Sequence, residues 1–340
     1  MENLVIDPLT KEYLRYKSNE ELRIKIGLLY NQKNVILTNS GLHSNYITIN
    51  VIIDKFKDIN IIYGNELYHE TINLINYYKN INSYRLNNNL DLLIPKIFNK
   101  INILFIESCS NPNGYIFDFS LIKKIRNVSL KLFVICDNTW LTSQIFNPFD
   151  YDIDIVTSSL SKFYSGGHAI GGVCIFRNFE DYVNTDNYIR IAGVHISPLQ
   201  LNIINKEIDH IKNRINNCSL LTYQFLDYMS KYPNILINHP SLVLHESSNL
   251  RKLYFKNNLI PSIFTICFKI NENILLEILN KLKIINIETS FGSKLSKIDT
   301  YINKDNNLSI IRFSIGFEDN IDRIKEGIDE LMILIDKYTN

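Results

Sequence analysis

Lys162 ends the segment DIVTSSLSK, and an amine placed after a buried strand can attack a carbonyl and later carry a proton. Twenty-five residues earlier Asp137 ends the apolar run FVICD, where a carboxylate is costly unless something cationic meets it. Ser159, Ser161, Gly166 and Gly167 lie around Lys162 and offer hydroxyl and backbone N–H donors to a phosphate without adding charge. An imine-forming lysine, an acid that keeps a pyridine nitrogen protonated and an uncharged phosphate cradle are together what pyridoxal phosphate (PLP) requires. Singly, each is an ordinary feature: a solvated loop lysine, a capped Asp-Asn-Thr turn, glycines beside serines. Their order along the chain carries the argument.

These residues need a scaffold that brings strand ends together, and the apolar pattern predicts one. NVILT meets Ser40-Gly41, after which apolar residues recur at helical spacing: strand, tight turn, helix. NIIYG, INILFIES, KLFVICDN, DIDIVTSS and GGVCIF follow, several separated by helical stretches such as FDFSLIKKIRNVS. Short runs apolar on both faces and alternating with helices predict a mostly parallel sheet covered on both sides, with catalysis at the C-terminal strand ends. After Gly193, ISPLQLNIINKEIDHIKNRINNCSLLTYQFLDYMSKY reads as one long helical region, kinked or straight, bridging to a second domain. The remainder carries strands (SIFTICFKI, SIIRFSIGF) and helices (ENILLEILNKLK, NIDRIKEGIDELMILIDKY). The expected division is an N-terminal arm over residues 1–20, a large α/β domain over 21–225 and a smaller C-terminal α/β domain over 226–340.

Bulk properties agree with small-molecule chemistry. With 36 basic against 35 acidic residues, no long-range field draws the chain to nucleic acid or an anionic membrane. No apolar stretch has the length of a membrane span or signal peptide. Cys109, Cys136, Cys174, Cys218 and Cys267 are widely spaced without a C-x-x-C pair, which argues against a zinc site or disulfide framework and fits the cytoplasm. No metal is expected.

The succession ESCSNP, CDNTW, SSLSK and then a glycine pair, at intervals of roughly twenty-five residues, resembles the fold-type I PLP enzymes of cysteine and methionine metabolism. This is the cystathionine γ-synthase/β-lyase and methionine γ-lyase family. The resemblance spans about residues 13–330. It implies a cytoplasmic homodimer or dimer of dimers with shared active sites, and a small amino-acid substrate.

Carried over by matching blocks, the resemblance implies that Tyr13 and Arg15, in YLRY, reach the neighbouring subunit's cofactor phosphate. Ser40, Gly41 and Leu42 match the family's S-G-M turn, with the N–H groups of Gly41 and Leu42 on the phosphate. Tyr68 matches the tyrosine that stacks on the ring and acts as an acid or base. Asn111 stands near the cofactor's phenolic oxygen and the substrate carboxylate. Asp137 is the ring-nitrogen partner, Lys162 the Schiff-base lysine, and Ser159 and Ser161 the phosphate hydroxyls. Ser290, in TSFG, lies beside the substrate carboxylate, and Arg312, in IIRFSIGFED, clamps it.

The chain also departs from the family. Leu295 stands where the family has a glutamate that recognises the far end of a cystathionine-like substrate, so a less polar or differently shaped leaving group is expected. Tyr68 is followed by His69 and Glu70 where relatives have two small residues, which would narrow or charge the site. The acid after G-G-H is missing, and the second glycine pair comes early. The expected activity is β/γ-elimination or γ-replacement on a sulfur-containing or O-activated amino acid. A specialised biosynthetic γ-replacement or cyclisation, and a catalytically silent paralogue, are the alternatives.

Overall fold

The computed structural model describes residues 20–56, 58–64, 66–86, 90–268, 270–302 and 309–339. Tyr13 and Arg15 therefore lie outside the described residues. The first sheet is built from β1 (Asn34–Thr38), β2 (Ile59–Tyr63), β3 (Asn82–Arg85), β4 (Ile101–Glu107), β5 (Lys131–Asp137), β6 (Ile155–Ser159) and β7 (Gly172–Phe176). Its strand order is β1-β7-β6-β5-β4-β2-β3, parallel except for β7, which runs against both neighbours. Interleaved with these strands are helices α1 (Glu20–Tyr30), α2 (Gly41–Lys55), α3 (His69–Tyr77), α4 (Leu90–Ile97), α5 (Ser120–Val128) and α6 (Thr142–Ile145), with α7 (Phe179–Ala192) after the last.

Period-two alternation explains why the strands read as continuous apolar runs. On β4, Leu104 and Ile106 enter one core with Leu22, Val134 and Phe163, while Ile103 and Phe105 enter another with Ile47, Ile61 and Ile135. Each such side chain, fully buried, contributes about 1.5–3 kcal/mol of transfer free energy. The sheet is thereby pinned from both faces, and its C-terminal edge is left to carry polar residues.

The helical stretch after Gly193 forms α8 (Pro198–Glu207) and α9 (Ile211–Tyr228), joined by a 3-10 turn over Ile208–His210. The region is thus kinked. Ile211, Ile215 and Cys218 of α9 belong to the large core, whereas Phe225 belongs to a third cluster, so one helix is shared by both halves. The second half contains β8 (Leu236–Asn238), β9 (Ile263–Phe268), β10 (Asn286–Ile287), β11 (Lys297–Ile302) and β12 (Ser309–Ser314), with helices α10 (Ser248–Tyr254), α11 (Glu272–Leu279) and α12 (Ile321–Thr339). The strand order is β10-β11-β12-β9-β8. Phe313 of β12 stacks with Phe264 and Phe225 on the core side. Arg312, facing the other way, sits in register between Thr265 and Asp299.

Strands β3, β8, β10 and β11 carry no run that the pattern above could detect. β3 is a mostly exposed edge strand, NSYR. β11, KIDTYI, alternates Ile298 in the small core with Lys297 and Asp299 on the side of Arg312, so half its residues are polar for a reason outside the sheet.

Candidate active site

The loops after β4 and β6 meet the second half of the chain, Asn111 against Arg312 and Lys162 against Ser290, and several of the residues singled out above lie along that seam. Lys162 follows β6. Its Nζ donates to Ser290 Oγ at 2.5 Å and lies 5.0 Å from the centre of the Phe291 ring. Ser290 holds φ +80°, a conformation that non-glycine residues adopt at a cost and that recurs at functional sites. Two residues on, Gly292 has φ +72°, and a Cβ there would stand 2.8 Å from Phe163 N and 2.9 Å from the Lys162 carbonyl carbon. Only glycine lets the second half of the chain press this closely on the backbone of Lys162. Burial, then the charges of Arg312 and Lys297, lower the Lys162 ammonium to about 8, so a usable fraction is the neutral, nucleophilic amine near neutrality.

Asp137 ends β5. Its Oδ1 accepts from Thr139 N (3.0 Å) and Thr139 Oγ1 (2.5 Å), and its Oδ2 from Asn45 Nδ2 (3.1 Å). Burial pushes its pKa up, against the pull of those three neutral donors. Among the described residues no lysine, arginine or histidine pairs with it. Such a carboxylate suits a cation arriving from outside the chain, and the protonated ring nitrogen of PLP supplies one.

Ser40 is the N-cap of α2, its Oγ accepting from His43 N at 3.2 Å, and its carbonyl accepts from Ser44 N. The remaining first-turn N–H groups, those of Gly41 and Leu42, have no intrahelical acceptor and form an anion site reinforced by the helix dipole. A Cβ on Gly41 would fall 2.7 Å from Ser159 Cβ, so glycine is what brings the helix start against the end of β6. Ser159 Oγ accepts from Ser161 N, and Ser161 Oγ bridges the N–H and carbonyl of Gly171. The neutral cradle is thus present, and with Asp137 and Lys162 it fits PLP.

Tyr68 stands before α3 with 46% of its surface exposed. Its backbone N–H donates to Glu107 Oε1 at 2.6 Å, and the Asn111 N–H donates to the same carboxyl. Glu66 makes a parallel tie, accepting from Ser110 Oγ (2.7 Å) and Asn113 Nδ2 (3.0 Å). Two glutamates thereby bind the loop of Tyr68 to the loop of Asn111. Asn111 Oδ1 in turn accepts from Arg312 Nη1 at 3.3 Å, and Arg312 Nη2 donates to Asp299 at 2.7 Å. His69 and Glu70 open α3 and are exposed.

Sequence reasoning gave no role to Asn45, Glu66, Glu107, Thr139, Lys297 or Asp299. Glu107 had a signal, since it ends an apolar strand as Asp137 does. Asn45 had another, a polar residue on the buried face of an otherwise apolar helix. Glu66, Lys297 and Asp299 had none, because only the packing of distant segments places them here.

The family model for Cys/Met metabolism PLP-dependent enzymes matches residues 9–336. The chain belongs to that family. A cystathionine β-lyase of Schizosaccharomyces pombe is 23% identical over 91% of this chain and 80% of its own length. An L-methionine γ-lyase of Fusobacterium nucleatum is 22% identical over 67% of this chain and 62% of its own length. In structure, an O-acetylhomoserine (thiol)-lyase of Campylobacter jejuni, carrying a pyridoxyl-lysine phosphate, superposes with a TM-score of 0.82 at 23% identity, covering 92% of this chain and 85% of that one. The fold is that of the fold-type I PLP enzymes, with a large sheet between helices and a smaller α/β part. The cofactor of the family, PLP, is the cofactor here, and the enzyme is of the lyase or transferase type. No helix among the described residues is long and apolar enough to cross a membrane.

Proposed function

We propose that this enzyme carries out β- or γ-elimination or γ-replacement on an amino acid with a sulfur or activated oxygen substituent, with Lys162 as the catalytic base. The observation that carries this reading is the meeting at one seam of Lys162 with Ser290 and of Arg312 with Asn111. Next to them, on the strand adjoining the one that Lys162 follows, is the half-buried carboxylate of Asp137, which no cation pairs with among the described residues.

Bound PLP supplies an electron sink for charge developing at the substrate Cα. Lys162 would hold the cofactor through Nζ, and that amine in its neutral form would take the proton from the substrate Cα. Asp137, oriented by Asn45 and Thr139, would keep the ring nitrogen protonated. Gly41, Leu42, Ser159 and Ser161 would hold the phosphate, and Tyr68 would lie against the ring and move a proton at the leaving group. Ser290, Asn111 and Arg312 fix the substrate carboxylate so that the Cα–H bond faces Lys162, which removes orientation from the barrier. Tyr13 and Arg15 serve a neighbouring subunit's phosphate, making the working form a homodimer or a dimer of dimers. Residues 1–20, 21–225 and 226–340 act as arm, cofactor domain and small domain. Five free cysteines, all buried, suit the cytoplasm.

The test is direct. Purified protein with PLP should show the visible band of a lysine-linked cofactor and release ketoacid from, or form thioethers with, one of cystathionine, methionine or O-acetylhomoserine. Lys162→Ala should lose both. A wild type that takes up no PLP ends the proposal.

A further inference from the structure

A cavity of about 510 Å³ opens beside Lys162, walled on one side by the turn after it and on the other by the segment from Ser290 to Lys297. Every titratable residue that lines it is a base: Lys162, His168, Lys294 and Lys297. Leu295, also in the wall, contributes an apolar surface.

Strand alternation explains why Lys297 is there. Ile298 is fully buried in the small core, so its neighbours Lys297 and Asp299 face the seam. Asp299 is engaged by Arg312, and Lys297 lines the same cavity as Lys162. The side chain of Lys297 is only 16% exposed, and its charge helps to lower the Lys162 ammonium. Its counter-ion, Glu288, approaches at 2.5 Å, and that of Lys294 is Glu318 at 3.1 Å. Neither glutamate lines the cavity. An ammonium has three N–H donors in different directions, so a partner on the outer side leaves donors for a ligand within.

We propose that this cavity receives the distal end of the substrate side chain and that this end is anionic, a carboxylate or a group of like charge, held by Lys297. The proposal rests on the functional reading above, which makes Lys162 the reacting centre. A distal ammonium would meet like charges and no carboxylate. An uncharged end would leave the Lys297 donors without an acceptor in the cavity. Leu295 alone suggested a less polar or differently shaped leaving group; Lys294 and Lys297 on either side of it favour a charged one.

The experiment uses the full chain loaded with PLP and follows the cofactor absorbance during titration with L-glutamate and with its uncharged isostere L-glutamine, a measurement that needs no turnover. Glutamate is expected to bind about tenfold more tightly, the worth of one charge-assisted contact. The preference should fall to near parity in Lys297→Gln, return in Lys297→Arg and shrink as salt is added. Equal binding of the two ligands by the wild type overturns the proposal. So does a Lys297→Gln variant that keeps the wild-type ratio. A cofactor band that no amino acid shifts, or no band at all, overturns the functional reading with it, whereas a band shifted alike by both ligands overturns only this inference.

Discussion

Asn45 Nδ2 lies 3.1 Å from Asp137 Oδ2, and Asn45 stands one turn inside the helix whose first N–H groups form the anion site. In the proposed site one helix would thus serve both ends of the cofactor, its start toward the phosphate and its second turn on the acid proposed to meet the ring nitrogen. Asn45→Ala removes a donor that lowers the Asp137 pKa. PLP affinity should fall about tenfold, the value of one hydrogen bond to a charged group. Titration of apo-protein by cofactor absorbance measures it, and an unchanged dissociation constant would show that Thr139 suffices.

The carboxyls of Asp137 and Glu107, on adjacent strands in register, both have raised pKa values, with burial the first cause. A carboxyl whose folded pKa exceeds its unfolded value stabilises the fold fully below the unfolded pKa, and that stability is lost as pH rises through the folded value. Apo-protein should therefore melt higher near about pH 5 than near about pH 8, other groups apart, and PLP should narrow the gap by giving Asp137 a cation. Asp137→Asn should flatten the apo profile while abolishing cofactor uptake. Thermal melts across pH, with and without PLP, decide it.

For Lys162 the sign is opposite. Burial and two cations lower it to about 8, so the reactive neutral amine accumulates well below the ordinary lysine range. The rate of PLP uptake by apo-protein should rise with pH and level off above about 8. Lys297→Gln removes one of the cations and should move the midpoint upward. A midpoint that stays in the ordinary lysine range in the wild type contradicts the burial argument.

Glu107 acts through its neighbours, holding the N–H groups of Tyr68 and Asn111. Glu107→Ala should raise KM for the amino acid and lower kcat by about tenfold through misplaced loops. Glu107→Gln keeps an acceptor oxygen and should recover most of kcat. Steady-state kinetics on the best substrate separates this from simple destabilisation, which would lower the active fraction at constant KM.

Gly292→Ala places a Cβ 2.8 Å from Phe163 N at a φ of +72°. It should cost about 2 kcal/mol of stability. Urea unfolding of the apo-protein reads that loss directly.

Much of this was legible in the chain itself. Apolar runs of strand length, turns at Ser40-Gly41 and at Asp137-Asn138, and lysine after a buried strand are local patterns, because buried strands need apolar residues on both faces and helix starts need caps. They determine the sheet, the capped helix start at Ser40-Gly41 and the placing of Asp137 and Lys162 at the ends of adjacent strands. The tertiary structure decided what local pattern cannot hold. Lys162 meets Ser290 across 128 positions of chain, and Arg312 meets Asn111 across 201. Lys297 and Asp299 belong to a strand whose polar alternation makes sense only once Ile298 is seen in the small core. Which charges surround the substrate depends on how two sheets close on one seam, and contacts between distant segments leave no periodic mark in the sequence.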